Sequence, residues 1–90
     1  MTGNLEARLV DDGLLRSDRS GLHSTRRWQG AMARAALRLV RAGIDGDDLR
    51  LPIAAALVEL YGDTLDDAAI IDAMAIMLPV ELAELDIARA

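Results

Sequence analysis

The single histidine of this 90-residue chain, His23, is the side chain best suited to acid–base chemistry at neutral pH. A general base needs a partner group, and a metal-binding histidine needs further ligands. The chain has no cysteine and no second histidine to complete a common zinc site, and His23 lies among Gly and Ser residues. We therefore expect His23 to be a solvated histidine in a loop.

Two groups of acidic residues are candidates for metal binding. The first group, Asp45, Asp47 and Asp48, resembles half of a calcium loop but lacks the residue order and the distal Glu of that motif. The second group lacks the Glu-x-x-His motif of di-iron bundles. Carboxylates also stabilise the first turn of a helix, and we expect this role, rather than metal binding, for both groups. The second group consists of Asp63, Asp66, Asp67 and Asp72.

The motifs of common catalytic and nucleotide-binding sites are absent from the sequence. It contains no Gly-x-x-x-x-Gly-Lys phosphate loop, no Gly-x-Gly-x-x-Gly and no Gly-x-Ser-x-Gly. We therefore expect a protein without enzymatic activity and without a cofactor.

All ten cationic residues are arginines, and four of them are predicted to lie on one flank of a helix. Such a row can contact phosphates, or it can pair with carboxylates. Residues 1–50 carry nine Arg against seven acidic residues, whereas residues 51–90 carry one Arg against eight. Because the net charge is -5, we expect pairing with the acidic half or with an acidic partner, and nucleic acid is the alternative. The four residues are Arg27, Arg34, Arg38 and Arg41.

The elements that must position these side chains are predicted to be helices. The composition is 52% hydrophobic but only 2% aromatic, so the core must consist of aliphatic side chains, which suit close helix packing. We predict an all-α fold, a bundle of three main helices with a short helix at each end and an irregular or hairpin-like segment near residues 13–24. The main helices are expected at about 25–42, 49–61 and 64–78, and the short ones at 4–11 and 80–88.

Capping residues and helix breakers mark the ends of the predicted helices. Thr25 and Thr64 are suitable N-caps, and Gly43 and Gly62 supply the left-handed residue that often ends a helix. Pro79 is expected to kink the last helix or to start a new one. Residues 1–24 and the bundle of residues 25–90 are predicted to form one domain, because the sequence contains no linker.

The second and third main helices are apolar over most of their surface. A helix of this kind is buried in its own core or against a partner, and one short chain offers little to cover two of them. We expect Ile71 to lie on the apolar face of the third main helix, and Leu82 and Leu85 to face inward on the short last helix. We predict a protein–protein interface, with a second copy or in a larger complex, formed by Ile53, Leu57, Leu60, Ile70, Met74, Met77 and Leu82.

The first residues lack a basic region followed by an apolar one, so no signal peptide is expected. The longest apolar stretch, residues 68–80, contains Asp72 and is shorter than the ~20 residues that cross a bilayer. The expected location is the cytoplasm, without membrane contact.

Residues 5–18, Leu-Glu-Ala-Arg-Leu-Val-Asp-Asp-Gly-Leu-Leu-Arg-Ser-Asp, followed by Gly21-Leu22 and Thr25, resemble part of a known DNA-binding fold. The stretch is similar to the end of the recognition helix and the wing of MarR-like winged-helix regulators. The resemblance spans residues 5–27, and the two helices that precede this stretch in those regulators have no counterpart in the sequence. It implies that Arg16 and Arg19 approach the DNA backbone, which makes a transcriptional regulator the alternative function.

Overall fold

A computed structural model describes residues 2–44 and 48–89, and their side chains from residue 5 to 44 and from 48 to 86. The chain forms four α-helices, a two-stranded hairpin and one 3-10 turn in these ranges. In chain order the elements are α1 (Thr2–Asp11), β1 (Leu15–Asp18), β2 (Gly21–Ser24), α2 (Arg26–Arg41), α3 (Arg50–Tyr61), the 3-10 turn Gly62–Thr64 and α4 (Asp67–Arg89).

The prediction of an all-α fold is wrong in one respect, because residues 15–24 form an antiparallel hairpin. Gly13 precedes it with a φ of 78°, a conformation that a residue with a Cβ rarely adopts. Leu15 pairs with Ser24, and Asp18 pairs with Gly21. The fold is mainly helical, and the hairpin occupies the segment whose Gly, Ser and Asp residues predicted a turn.

Helix α2 begins and ends where its sequence predicts. The Thr25 side chain accepts a hydrogen bond from the backbone N–H of Trp28, and its hydroxyl donates to the Gly13 carbonyl at 2.5 Å. Gly43, with a φ of 75°, follows the last turn. These contacts confirm Thr25 as the N-cap and hold the start of α2 against Gly13, just before the hairpin.

Helix α4 begins three residues later than predicted. The side chain of Asp66, and not that of Thr64, caps it by accepting the backbone N–H of Ala69 at 2.8 Å. The Thr64 hydroxyl instead donates to the Tyr61 carbonyl, within the 3-10 turn. The sequence correctly predicted an acidic residue at the start of this helix. The 3-10 turn occupies residues 62–64, so the helix starts only at Asp67.

The prediction of a separate short helix after Pro79 is wrong, because Pro79 lies inside the continuous helix α4. Proline removes one helical hydrogen bond and costs roughly 3 kcal/mol in a helix interior. Met77 and Val80 on either side of it both lie in the core. Residues three positions apart lie on the same face of a helix, so burying both Met77 and Val80 favours a helix that continues through Pro79.

The core lies where α3 packs against both α2 and α4, and α1 and the hairpin close it at one end. Its buried side chains come from the four helices, from β1 and from Leu14, which precedes β1. The molecule measures 37 × 37 × 18 Å, so its thin dimension is that of two helix layers. The largest fully buried side chains are Leu9, Leu14, Leu15, Trp28, Ile53, Leu57 and Met77.

Helix α4 presents a different face to the core from the one its sequence suggested. Ala73, Met77 and Val80 point inward. The predicted inward positions Ile71, Leu82 and Leu85 are exposed, Ile71 to 65%. Both faces of α4 are apolar, so the choice between them depends on fit to α1, α3 and the hairpin. Within the described ranges, no helix is long and apolar enough to traverse a bilayer.

Candidate functional site

The arginine row on α2 is anchored to α3 by one carboxylate. Arg34 Nε donates to Glu59 Oε1 at 2.9 Å, and Arg38 Nη1 lies 3.5 Å from Glu59 Oε2. The hydrogen bond from Arg34, aided by the charge of Arg38, holds the pKa of Glu59 below its usual value. Two of the four predicted arginines are thus paired with the acidic half of their own chain, as one of the two sequence hypotheses proposed.

The other arginines singled out by the sequence are exposed. Arg27 donates to the backbone carbonyl of Asp12, which leaves its positive charge without a carboxylate at that contact. Arg41 is exposed in the last turn of α2. On the hairpin, Arg16 pairs with Asp18 at 2.8 Å, and Arg19 is exposed in the turn. The structure therefore brings cationic side chains to two separate surfaces, one flank of α2 and the tip of the hairpin.

His23 lies in strand β2 and not in a loop, and it belongs to a hydrogen-bonded group with Asp18 and Ser20. His23 Nε2 is 2.8 Å from Ser20 Oγ and 3.1 Å from Asp18 Oδ1, and Ser20 Oγ donates to Asp18 Oδ1 at 2.7 Å. Hydrogen bonds from the Ser20 side chain and backbone, together with His23, hold the pKa of Asp18 well below its usual range.

The three residue types are those of a catalytic triad, but the arrangement differs from it. In a triad the serine hydroxyl donates to one imidazole nitrogen, and the aspartate accepts from the other. Here both Ser20 and Asp18 contact the same nitrogen of His23, and the serine proton points to the aspartate. The imidazole therefore acts as a donor that closes the hairpin turn, and this arrangement provides no activated nucleophile.

A hydrogen bond between Trp28 and Glu81 joins α2 to α4, and the sequence analysis did not find it. The indole N–H of the fully buried Trp28 donates to Glu81 Oε1 at 2.8 Å. Burial raises the pKa of Glu81, against the opposing effect of this hydrogen bond. A buried tryptophan usually finds an acceptor for its N–H, but a partner 53 residues away leaves no local pattern.

A second long-range pair lines a small open pocket of ≈ 210 Å³ between α1, α2 and α3. The Tyr61 hydroxyl donates to Asp12 Oδ2 at 2.7 Å, and Arg8 lies over the tyrosine ring. Burial, followed by the hydrogen bond to Asp12, raises the pKa of Tyr61. Because the Tyr61 hydroxyl and the Asp12 carboxylate hydrogen-bond to each other, we interpret this pocket as part of the packing of α1 against α3.

The acidic residues considered for metal binding have other partners or lie apart. Asp48 accepts the backbone N–H of Arg50 and pairs with its guanidinium, which lowers the pKa of Asp48. Asp66 caps α4. In residues 2–44 and 48–89, no three His, Cys, Asp or Glu side chains are close enough to hold a metal ion. Asp45 and Asp47 lie outside the described residues.

The structure divides the seven predicted interface residues between the core and the surface. Ile53, Leu57 and Met77 are fully buried within the chain, so they present no surface to a partner in this fold. Leu60, Ile70 and Met74 are partly buried against the core, and Leu82 is 47% exposed. The predicted residues therefore belong mainly to the inner side of α3 and α4.

The outer sides of three helices carry the exposed aliphatic side chains instead. On α3, Leu51 and Val58 are seven residues apart and share the side opposite the core, with Val58 55% exposed. Alternation of three and four residues also aligns the exposed positions on α2 and α4. The exposed large side chains are Leu37, Val40 and Ile44 on or just after α2, and Ile71, Leu82 and Leu85 on α4.

A comparison with protein-family models, with curated proteins and with solved structures finds no match to this chain.

Proposed function

We propose that this protein is a non-enzymatic interaction module that binds protein, either a second copy or the subunit of a larger complex, through the outer sides of α2, α3 and α4. The observation that carries this proposal is the row of exposed aliphatic side chains along each of these helices. A surface helix normally carries polar residues opposite the core. Arg50 and Glu59 are the only charged residues of α3.

The accessible surface supports the same proposal. A monomeric protein of 9.7 kDa is expected to expose about 5,100 Å². This chain exposes 5932 Å², because its helices form a thin molecule whose outer faces are uncovered. Burial of apolar surface contributes roughly 25 cal/mol per Å², so covering these rows would stabilise an assembly.

Site-specific photo-crosslinking in cells tests this function. A photoreactive amino acid is introduced at Val58 or at Ile71, and the matched control carries it at Arg19, which is also exposed but lies on the hairpin turn. We expect defined adducts with protein, this chain included, from the two helix positions and none from the control. A purified chain that is monomeric at micromolar concentration and gives no adduct at either helix position would refute the proposal.

The alternative function, a DNA-binding regulator, is favoured by one observation. A helix, α1, directly precedes a hairpin whose turn exposes Arg19, in the order that the winged-helix resemblance implies. Against it, Arg16 and Arg34 are already paired with carboxylates of the chain. We keep this function as the second candidate.

A salt titration of DNA binding tests the alternative. Phosphate contacts release counterions, so affinity must fall steeply as the salt concentration rises. Replacing Arg19 by Ala should then reduce the salt dependence by about one unit of slope. The matched control is Arg50→Ala on α3, away from the hairpin. If no binding to duplex DNA is measured at low salt, the regulator hypothesis is wrong.

A further inference from the structure

We propose that the partner of this chain is a second copy of itself, and that the outer side of α2 in one copy packs antiparallel on the outer side of α4 in the other. This inference rests on the proposed function and names the partner. It depends on the spacing of apolar and charged residues on the two helices.

The outer side of α4 carries a coiled-coil repeat. Six apolar residues follow one another at spacings of three and four along about 26 Å of helix. Helices pair side by side when apolar positions recur in this way. We define the α4 seam as Ala68, Ile71, Ala75, Leu78, Leu82 and Leu85, which are exposed except for the partly buried Leu78.

The outer side of α2 carries a matching repeat. Its positions also alternate at spacings of three and four, and Val40 among them is 67% exposed. The last position lies just beyond the helix, where the N–H of Ile44 still donates to the Leu39 carbonyl. We define the α2 seam as Gly30, Ala33, Leu37, Val40 and Ile44.

The charges beside the two seams are opposite in sign. Beside the α2 seam, Arg27, Arg34 and Arg41 recur every seven residues. Beside the α4 seam, the equivalent positions hold Asp72, Pro79 and Asp86. Residues at these flanking positions face each other across an antiparallel helix pair and select the partner. Two α4 seams would place acid against acid, whereas α2 against α4 places arginine against aspartate.

One register satisfies both ends of this pairing. Arg27 and Arg41 are fourteen residues apart, as are Asp72 and Asp86. Aligning Arg41 with Asp72 therefore aligns Arg27 with Asp86. The middle arginine, Arg34, then faces the uncharged Pro79.

The middle position needs no partner from the second copy, because Arg34 is already paired with Glu59 of its own chain. A parallel arrangement would instead bring the arginines opposite the other flank of α4, which includes Met74 and Glu81, and the Glu81 carboxylate already accepts the Trp28 N–H. The hydrogen bonds within the chain thus favour the antiparallel orientation.

The same register produces complementary sizes along the seams. Close packing favours a small residue opposite a large one. The contact layers place Gly30 against Leu85, Ala33 against Leu82 and Val40 against Ala75. Two further layers, Leu37 with Leu78 and Ile44 with Ile71, pair similar aliphatic side chains. Because the register was set by the charges alone, this fit is an independent observation.

Charge exchange between purified variants tests the pairing by analytical ultracentrifugation. We expect the unmodified chain to self-associate and Arg41→Glu or Asp72→Arg to weaken association about tenfold, since each substitution places like charges opposite one another. An equimolar mixture of the two variants should recover the affinity of the unmodified chain, because the exchanged charges attract again.

Two matched controls carry the same charge changes away from the seams. Arg19→Glu on the hairpin turn and Asp63→Arg in the 3-10 turn should leave association unchanged. The helical circular dichroism of every variant should equal that of the unmodified chain, since all four substituted side chains are exposed.

The inference fails if the unmodified chain is monomeric, if Arg41→Glu and Asp72→Arg have no effect, or if mixing them restores nothing. Adducts from Val58 with another protein would leave the proposed function intact in that event. Loss of both self-association and all adducts would refute the function as well.

Discussion

Helices α2 and α3 pack against each other and share one core, but only α2 indicates in its sequence which side is buried. In α2 the arginines occupy one flank, and Trp28, Ala31 and Ala35 occupy the buried side. In α3 the apolar residues surround the helix, so Leu57 is fully buried while its neighbour Val58 is exposed. The comparison teaches that a helix with apolar residues on all sides must be covered, but that its own sequence does not specify which segment covers which side.

The largest expected effect separates the two sides of α3. Leu57→Ala should lower the free energy of unfolding by about 2–5 kcal/mol, because it leaves a cavity in the core. Val58→Ala on the outer side should change it by no more than about 0.5 kcal/mol in the monomer. Urea denaturation at a concentration where the chain is monomeric measures both. Equal losses would mean that the outer side of α3 is already covered within one chain.

An intermediate effect is expected at the helix starts. Thr25→Ala should cost about 1–2 kcal/mol, because it removes the cap of α2 and the hydrogen bond to Gly13. Asp48→Ala should have a smaller effect, since its partner Arg50 is exposed and the pair is screened by solvent. Thermal unfolding of the two variants compares them. A larger loss for Asp48→Ala would show that α3, rather than α2, depends on the side chain at its start.

The smallest effect concerns the ion pair between the two helices. Glu59→Gln should destabilise the fold only slightly at neutral pH, because the pairs of Glu59 with Arg34 and Arg38 are exposed to solvent and screened by it. Arg19→Gln, an exposed change on the hairpin, is the control and should cost less.

The acid dependence of this pair has a definite sign. The pKa of Glu59 is lower in the folded chain than its usual value, so its contribution is present above the unfolded pKa. That contribution is lost as the pH falls through the folded pKa. The difference between Glu59→Gln and the unmodified chain should therefore shrink in acid. A difference that persists below the folded pKa would assign the loss to packing and not to charge.

Local signals predicted several helix ends correctly and left other features of the site undetermined. Thr25 and Gly43 set the ends of α2 because capping and left-handed backbone depend on neighbouring residues alone. The predicted interface mixed inner residues such as Met77 with the outer residue Leu82. Both are large apolar side chains on a largely apolar helix, and the one charged residue between them, Glu81, did not indicate from the sequence which side is buried.

By itself, the sequence determined the mainly helical class, the position of the turn-rich segment before α2 and the separation of arginines from acidic residues along the chain, since each depends on residue type and spacing. The tertiary structure decided which sides of α3 and α4 are buried, that α4 continues through Pro79, and that Trp28 meets Glu81. The physical reason is the distance along the sequence over which each interaction acts. Capping and periodicity act over three or four residues, whereas burial and buried hydrogen bonds are shared among segments that only the folded chain brings together.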